Sequence, residues 1–186
     1  PTSPLIPMGA ITGRPDENAV RETLETYKAA GIDQYLIYPR SGLELEYMGE
    51  EWLQVCEWFC RHAERLGMSI WLYDEYNWPS GSCKGRVPAE NPDFECKEFA
   101  VYKHEDGSFR WKLHSAPGWV DNYNFNAMER FVELTHKRYE ARLKKYMGST
   151  IVGIFTDEPA HPVPFKFDCK PAARFRYFVG AEDEYK

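Results

Sequence analysis

The segment SIWLYDE, at residues 69–75, is an almost wholly apolar run of strand length that ends in two acidic residues. A run of this kind is typical of a strand that is covered on both faces, as in a parallel sheet. QYLIYPR at residues 34–40 and IVGIFTDE at residues 151–158 have the same form. Together with a shorter apolar run near the start of the chain, they predict four strands, over residues 5–11, 34–38, 69–73 and 151–156.

Helical periodicity separates these strands. Apolar residues recur at helical spacing over residues 16–31, 50–66 and 126–146. Asp16 is a favourable N-cap for the first of these helices, and Gly31 is a favourable residue to end it. Strands that alternate with helices in this way predict βαβ units, and therefore an α/β fold with a parallel sheet.

The alternation stops between residues 76 and 123, which we interpret as an insertion. Two β-rich runs at residues 98–102 and 108–113 flank Glu105-Asp106-Gly107, and this pattern predicts a β-hairpin. Earlier in the chain, Pro-Arg-Ser-Gly at residues 39–42 predicts that the second strand ends there. After the fourth strand, proline residues predict loop, with at most a short helix over residues 172–179.

The composition excludes several classes of protein. The 29 acidic and 23 basic residues give a net charge of -6, so neither nucleic acid nor an anionic membrane surface is an expected partner. No apolar run approaches the roughly 18 residues that a membrane-spanning helix needs. Aromatic residues make up 16 % of the chain, a share that suits both a large core and a site that stacks on sugar rings.

The five cysteines do not form a recognisable disulfide framework. Cys56 and Cys60 stand four residues apart on a predicted helix, where a buried, apolar role is favoured over a metal pair. We therefore expect neither a metal nor another cofactor. The sequence leaves the localisation open.

Polar side chains follow the predicted strands at their carboxyl ends, where parallel α/β folds bind ligands. The pairs Asp74-Glu75 and Asp157-Glu158 each follow an apolar strand directly. Hydrolysis of an acetal needs a carboxylic acid that protonates the leaving oxygen and a second carboxylate opposite it. A single Asp-Glu pair is more often a solvated turn, but two pairs in this position predict a glycosidic site.

Residues beside these pairs are candidates for binding the sugar. Tyr76 and Trp78 offer stacking faces, and Asn77 and Arg40 can form hydrogen bonds with hydroxyl groups, next to Tyr38 on the second strand. An equal alternative for Trp78 is that it packs under the loop that follows it.

His161 is a further candidate, as a hydrogen-bonding partner of the substrate. A metal site formed by Asp74, Asp157 and His161 is a less favoured alternative, because nothing in their spacing requires them to converge.

Four strings of sequence resemble a family of large bacterial glycoside hydrolases that includes the α-L-rhamnosidase-type enzymes. They are YPRSGL at residues 38–43, WLYDE at 71–75, WPSG at 78–81 and GIFTDEP at 153–159, and the predicted last helix, with Leu134-Thr135-His136, also fits. The resemblance covers most of residues 7–160, and the last three strings are its most specific parts.

The resemblance implies a (β/α)8 barrel in which Glu158 is the general acid/base. Asp157 would orient it or bind the substrate, while Asp74 and Glu75 would line the sugar pocket. The second catalytic carboxylate would come from a missing segment, another chain or Glu75.

We thus expect one α/β domain over residues 1–186, a partial TIM-barrel-type sheet of about four βα units with a hairpin insertion. A complete barrel needs about 250 residues, so a homo-oligomer, a missing second half or the hairpin insertion is expected to cover the open sheet edges. A carbohydrate is the expected partner. The rival interpretation is a half-barrel that binds carbohydrate without catalysis.

Overall fold

The computed structural model describes residues 5–159 and 170–176. Within these ranges the strands are β1 (Met8–Gly13), β2 (Gln34–Leu43), β3 (Ser69–Tyr73), β4 (Glu95–Lys103), β5 (Phe109–Val120), β6 (Ile151–Phe155) and β7 (Ala173–Arg176). The α-helices are α1 (Glu17–Ala29), α2 (Glu50–Leu66), α3 (Arg86–Glu90), α4 (Phe125–Leu134) and α5 (His136–Leu143).

Four of the strands form a parallel sheet in the order β1-β2-β3-β6. Helix α1 connects β1 to β2, and α2 connects β2 to β3. The apolar side chains of Ile37, Ile70 and Leu72 are fully buried in the same core cluster as Leu24 of α1 and Phe59 of α2. The α/β class and the parallel sheet are thereby confirmed.

The opposite face of the sheet carries a smaller, mainly aromatic cluster. Leu36, Tyr38 and Tyr73 are buried there, with Trp71 packed against them. The rings of Tyr38 and Tyr73 lie 4.3 Å apart between centroids, and Tyr73 stacks on Phe155 at 5.8 Å. This cluster leads directly to the strand ends at which the sequence places acidic residues.

Several element boundaries follow from local chemistry. The Asp16 side chain accepts a hydrogen bond from the Ala19 N–H at 2.8 Å, as expected for an N-cap of α1. Helix α2 ends at Gly67, whose φ of 62° lies in the left-handed region. Both α2 and β3 have the bounds that the sequence predicts.

A buried polar chain ties the helices to the end of β3. The Trp52 indole of α2 donates to the Tyr139 hydroxyl of α5 at 3.1 Å, and this hydroxyl donates to the Tyr73 carbonyl at 3.1 Å. Because these groups are buried, each hydrogen bond satisfies an atom that water does not reach. The chain therefore fixes the position of the residues that follow Tyr73.

The predicted end of the second strand at residues 39–42 is wrong, since β2 continues to Leu43. Pairing with β1 carries it on, with Ile11 opposite Pro39 and Gly13 opposite Leu43. The register shifts between these two pairs. Such an irregularity accommodates a proline, which has no N–H to donate to a regular ladder.

Two further predictions at the C-terminal side are corrected. The helix predicted over residues 126–146 is divided into α4 and α5 at Thr135, whose φ and ψ of -120° and -77° are not helical and whose hydroxyl donates to the Phe131 carbonyl at 2.7 Å. The short helix predicted over residues 172–179 is wrong for the described residues, because β7 is a strand paired with β4.

The hairpin is confirmed, and it is longer than predicted. Strands β4 and β5 pair antiparallel, and β7 joins them in a sheet of order β5-β4-β7. Helix α3 also lies in the insertion, where the sequence predicts no helix. The insertion thus adds a second, antiparallel sheet to the parallel one.

Four described cysteines are free and buried: Cys56, Cys60, Cys83 and Cys96. Burial raises the pKa of the Cys60 and Cys83 thiols to about 12. The prediction that Cys56 and Cys60 pack as apolar residues is confirmed. Among the described residues, no helix is both long and apolar enough to cross a membrane.

Replacement of Gly153 by alanine is expected to destabilise the parallel sheet. An added Cβ would lie 2.4 Å from the six-membered ring of Trp71 on the neighbouring strand, so the indole has to move. Overpacking of this kind costs about 1–3 kcal/mol of the free energy of unfolding. Urea denaturation measures the loss, with the exposed neighbour Val152→Ala as the control. An unchanged midpoint for Gly153→Ala would contradict the close packing of this pair.

Candidate functional site

Glu158 and Trp78 meet at the carboxyl end of the parallel sheet. Glu158 follows β6 and is exposed, and Trp78 lies in the loop after β3 with 43 % of its surface exposed. The indole Nε1–H donates to Glu158 Oε2 at 3.0 Å. The backbone of Glu158 has a φ of 39°, a left-handed conformation that is uncommon for a residue other than glycine. The contact therefore presents a carboxylate and an aromatic face together to solvent.

Asp157 is held beside this pair by its side chain and its backbone. Its Oδ2 accepts from the Tyr73 hydroxyl at 2.6 Å. Its N–H donates to Ser80 Oγ at 2.9 Å, and its carbonyl accepts from the Ser80 N–H at 2.9 Å. Burial and the hydrogen bond to Asp157 both raise the pKa of Tyr73, which keeps this hydroxyl a donor.

Tyr38 and Arg40 lie in the middle of β2, and the Tyr38 ring packs against Tyr73. The Arg40 guanidinium is placed over the Tyr38 ring, 5.1 Å from its centroid, and also donates to the Tyr38 hydroxyl. The Tyr38 ring contacts the Tyr73 ring, and the Tyr73 hydroxyl donates to Asp157 Oδ2. The sheet thus brings Tyr38, Arg40 and Asp157 into one row of contacts.

Asp74 is completely buried, and its carboxylate connects three elements. Oδ1 accepts from Ser80 Oγ at 2.6 Å, and Oδ2 accepts from Thr156 Oγ1 at 2.6 Å. His136, at the start of α5, places Nε2 3.2 Å from Oδ2. Both carboxylate oxygens are therefore engaged in holding the ends of β3, β6 and α5 together.

Glu75 is also buried, and its carboxylate holds the loop that follows β3. Backbone N–H groups of Tyr76 and Lys84 donate to Oε1, at 2.8 and 2.6 Å, and those of Ser82 and Cys83 donate to Oε2, each at 2.8 Å. Burial raises the pKa of the Glu75 carboxyl, while the four backbone donors oppose this rise. The arrangement uses both oxygens for loop structure.

Tyr76 and Asn77 belong to the loop that follows β3, and their contacts fasten it to the core and to β2. The Tyr76 ring packs against the main core, and the Lys84 ammonium lies 4.3 Å from its centroid. Asn77 connects the loop to β2: its N–H donates to the Pro39 carbonyl at 3.0 Å, and its side-chain oxygen accepts from the Ser41 N–H at 2.6 Å. These contacts fit positioning of the loop.

His161, and with it the alternative metal site of Asp74, Asp157 and His161, lies outside the described residues. Among residues 5–159 and 170–176, no group of three or more His, Cys, Asp or Glu side chains is arranged to hold a metal ion.

Three polar contributors to the site were not predicted as site residues: Ser80, Thr156 and His136. Each binds the Asp74 carboxylate. Ser80 and Thr156 lie inside the strings that carry the family resemblance, WPSG and GIFTDEP, which is the signal that could have found them. His136 belongs to the predicted last helix, which also fits the resemblance, but only the folded chain brings it to Asp74.

The Tyr73→Phe variant is expected to unfold more easily by about 1–2 kcal/mol, because Asp157 loses a hydrogen bond while the ring packing is retained. Thermal unfolding measures this as a fall of several degrees in Tm. Tyr27→Phe, at a half-buried tyrosine of α1 that packs against the main core, is the matched control. Equal Tm values for the two variants would show that the Tyr73–Asp157 contact contributes nothing to stability.

Comparison with known proteins adds no relative: no family model, no curated protein and no solved structure matches the chain.

Proposed function

We propose that this chain is part of a (β/α)8-barrel glycoside hydrolase of the α-L-rhamnosidase-like type, with Glu158 as its general acid/base. The observation that carries the proposal is the exposed Glu158 carboxylate, which the Trp78 indole holds at the carboxyl end of the parallel strands. Catalytic groups of barrel enzymes lie at this end of the sheet. The left-handed φ of Glu158 also favours a functional role, because strained backbone is concentrated at functional sites.

The strand order supports the barrel part of the proposal. Four parallel strands that pair in chain order, with helices on one face, are what one half of such a barrel contains. Both edge strands expose apolar side chains: Met8 of β1 is 49 % exposed, and Val152 of β6 is 47 % exposed. Further strands, from another segment or another copy, would cover these edges.

The residues that surround the exposed carboxylate have distinct roles in the proposed reaction. Glu158 protonates the glycosidic oxygen as the bond to the leaving group breaks. Arg40 and the Asp157 oxygen not bound to Tyr73 form hydrogen bonds with the sugar hydroxyls, and Trp78 provides a stacking face.

Asp74 and Glu75 act through other residues in this proposal. Because Asp74 binds Ser80, and Ser80 binds the backbone of Asp157, Asp74 positions the acidic segment. Glu75 positions the loop that carries Trp78. Because the carboxylate oxygens of Asp74 and Glu75 already accept hydrogen bonds, neither residue acts as an acid or base in the proposed reaction. The second catalytic carboxylate comes from beyond the described residues.

A panel of aryl glycosides, assayed with the full chain, tests the activity. Release of the aryl alcohol from one member of the panel supports the proposal, and a variant at Glu158 assigns the acid. If neither this chain alone nor a mixture with candidate partner segments releases the aryl alcohol from any member, the proposed activity is wrong.

Carbohydrate binding without catalysis is the second candidate. The observation that favours it is that two of the four acidic residues at the strand ends have no free oxygen for chemistry. Isothermal titration calorimetry with the corresponding methyl glycosides separates the two candidates: heat of binding without hydrolysis in the aryl panel selects the binding protein.

A further inference from the structure

A small cavity lies where the end of β5 meets the loop that follows β3. Its volume is about 140 Å³. The loop lines it with Trp78, Ser80 and Ser82, and the end of β5 with the residues after it lines it with Gly118, Trp119 and Asn122. Both walls of the cavity therefore come from the insertion, one from its first residues and one from its last.

The Asn122 side chain in this wall has an unsatisfied acceptor. Its Oδ1 is buried and has no hydrogen-bond partner among the described residues. It packs close to the backbone of Gly81, where an added Cβ would lie only 2.2 Å from it. The neighbouring hydroxyls are engaged, since Ser80 donates to Asp74 and Ser82 to Glu75. A buried acceptor without a partner costs free energy until a ligand or water satisfies it.

The cavity lining has the chemistry that binds a pyranose ring. Two indole rings offer faces for the C–H side of the sugar, and the amide of Asn122 is a partner for a hydroxyl. Trp78 belongs both to this wall and to the contact with Glu158. A sugar in the cavity therefore contacts the same indole that donates to the Glu158 carboxylate.

We infer that the cavity is a second sugar subsite, which binds the sugar unit on the leaving side of the bond that Glu158 cleaves. The inference rests on the proposed function. In the complex, the Asn122 amide turns from Gly81 to a sugar hydroxyl, and Trp119 stacks on the ring. The insertion thereby gives a preference for disaccharides and oligosaccharides over substrates with a small leaving group.

The test compares two substrates that carry the glycosyl group hydrolysed in the aryl panel. One is the glycosyl fluoride, whose leaving group is a single atom, and the other is a disaccharide. Asn122→Leu is expected to lower kcat/KM about tenfold for the disaccharide and less than about twofold for the fluoride. Trp111→Ala, at an exposed tryptophan of β5 outside the cavity, is expected to change neither value.

The ratio of the two kcat/KM values is independent of the folded fraction, so partial misfolding of Asn122→Leu does not affect the outcome. Asn122→Ala provides a second variant if the first yields no folded protein. Equal losses on both substrates, or no loss on either, overturn the subsite.

If the wild-type chain hydrolyses nothing, the proposed activity fails, and disaccharide binding decides on the subsite. Cellobiose, maltose and lactose are then titrated into the wild type and Asn122→Leu, with tryptophan fluorescence as the readout. Weaker binding by the variant, by about tenfold, supports the subsite. Equal affinities, or no binding by the wild type, overturn it.

Discussion

Replacement of Glu158 by glutamine is expected to lower kcat/KM for a glycoside with a poor leaving group by about 100- to 10,000-fold, the usual contribution of a general acid. Glutamine keeps the size of the side chain and can still accept from the Trp78 indole, but it has no proton to transfer at neutral pH. The loss therefore reports on protonation of the leaving oxygen.

The leaving group of the substrate distinguishes this role from a general defect. A dinitrophenyl glycoside needs little protonation as its bond breaks, so Glu158→Gln is expected to affect it far less than an alkyl glycoside. Glu129→Gln, at an exposed position of α4, is the matched control and is expected to retain full activity. Equal losses on both substrates would exclude Glu158 as the general acid.

Replacement of Glu75 by alanine is expected to have the largest effect on stability. Four backbone N–H groups lose their acceptor, including that of Cys83, whose residue is completely buried. Each buried donor left unpaired costs about 1–3 kcal/mol. With part of the loop hydrated in the variant, we expect a total loss of roughly 3–5 kcal/mol in the free energy of unfolding.

Urea denaturation measures this loss, and Glu64→Ala, at an exposed carboxylate of α2, is expected to change stability by less than about 0.5 kcal/mol. Glu75→Gln tests the alternative that Glu75 is a catalytic group. A variant with nearly normal stability and no activity would assign Glu75 to the chemistry, against the role in loop structure that its contacts support.

Much of the parallel sheet could be predicted from local patterns along the chain. Apolar runs of strand length, helical periodicity between them, and the residues Asp16 and Gly67 at helix ends indicate elements that the structure contains. These signals work because burial and capping act within one turn or one strand. They also place Glu158 and Asp157 directly after a strand.

Other features depend on residues far apart in sequence. Strand β2 passes through Pro39 because β1 pairs with it, and residues 173–176 form a strand because β4 is next to them. Neither partner can be identified from the local sequence. A propensity of a few tenths of a kcal/mol per residue is easily outweighed by such tertiary pairing.

The acidic pairs show the same division within the candidate site. Both pairs follow an apolar strand, so the sequence predicts them alike, and the alternation of strands with helices predicts that both lie at the carboxyl end of a parallel sheet. Only the tertiary structure separates their roles: Asp74 and Glu75 are buried among donors from a loop and a distant helix, while Glu158 is exposed beside Trp78. The physical reason is that the environment of a carboxylate is set by the groups packed around it, and these come from other parts of the chain.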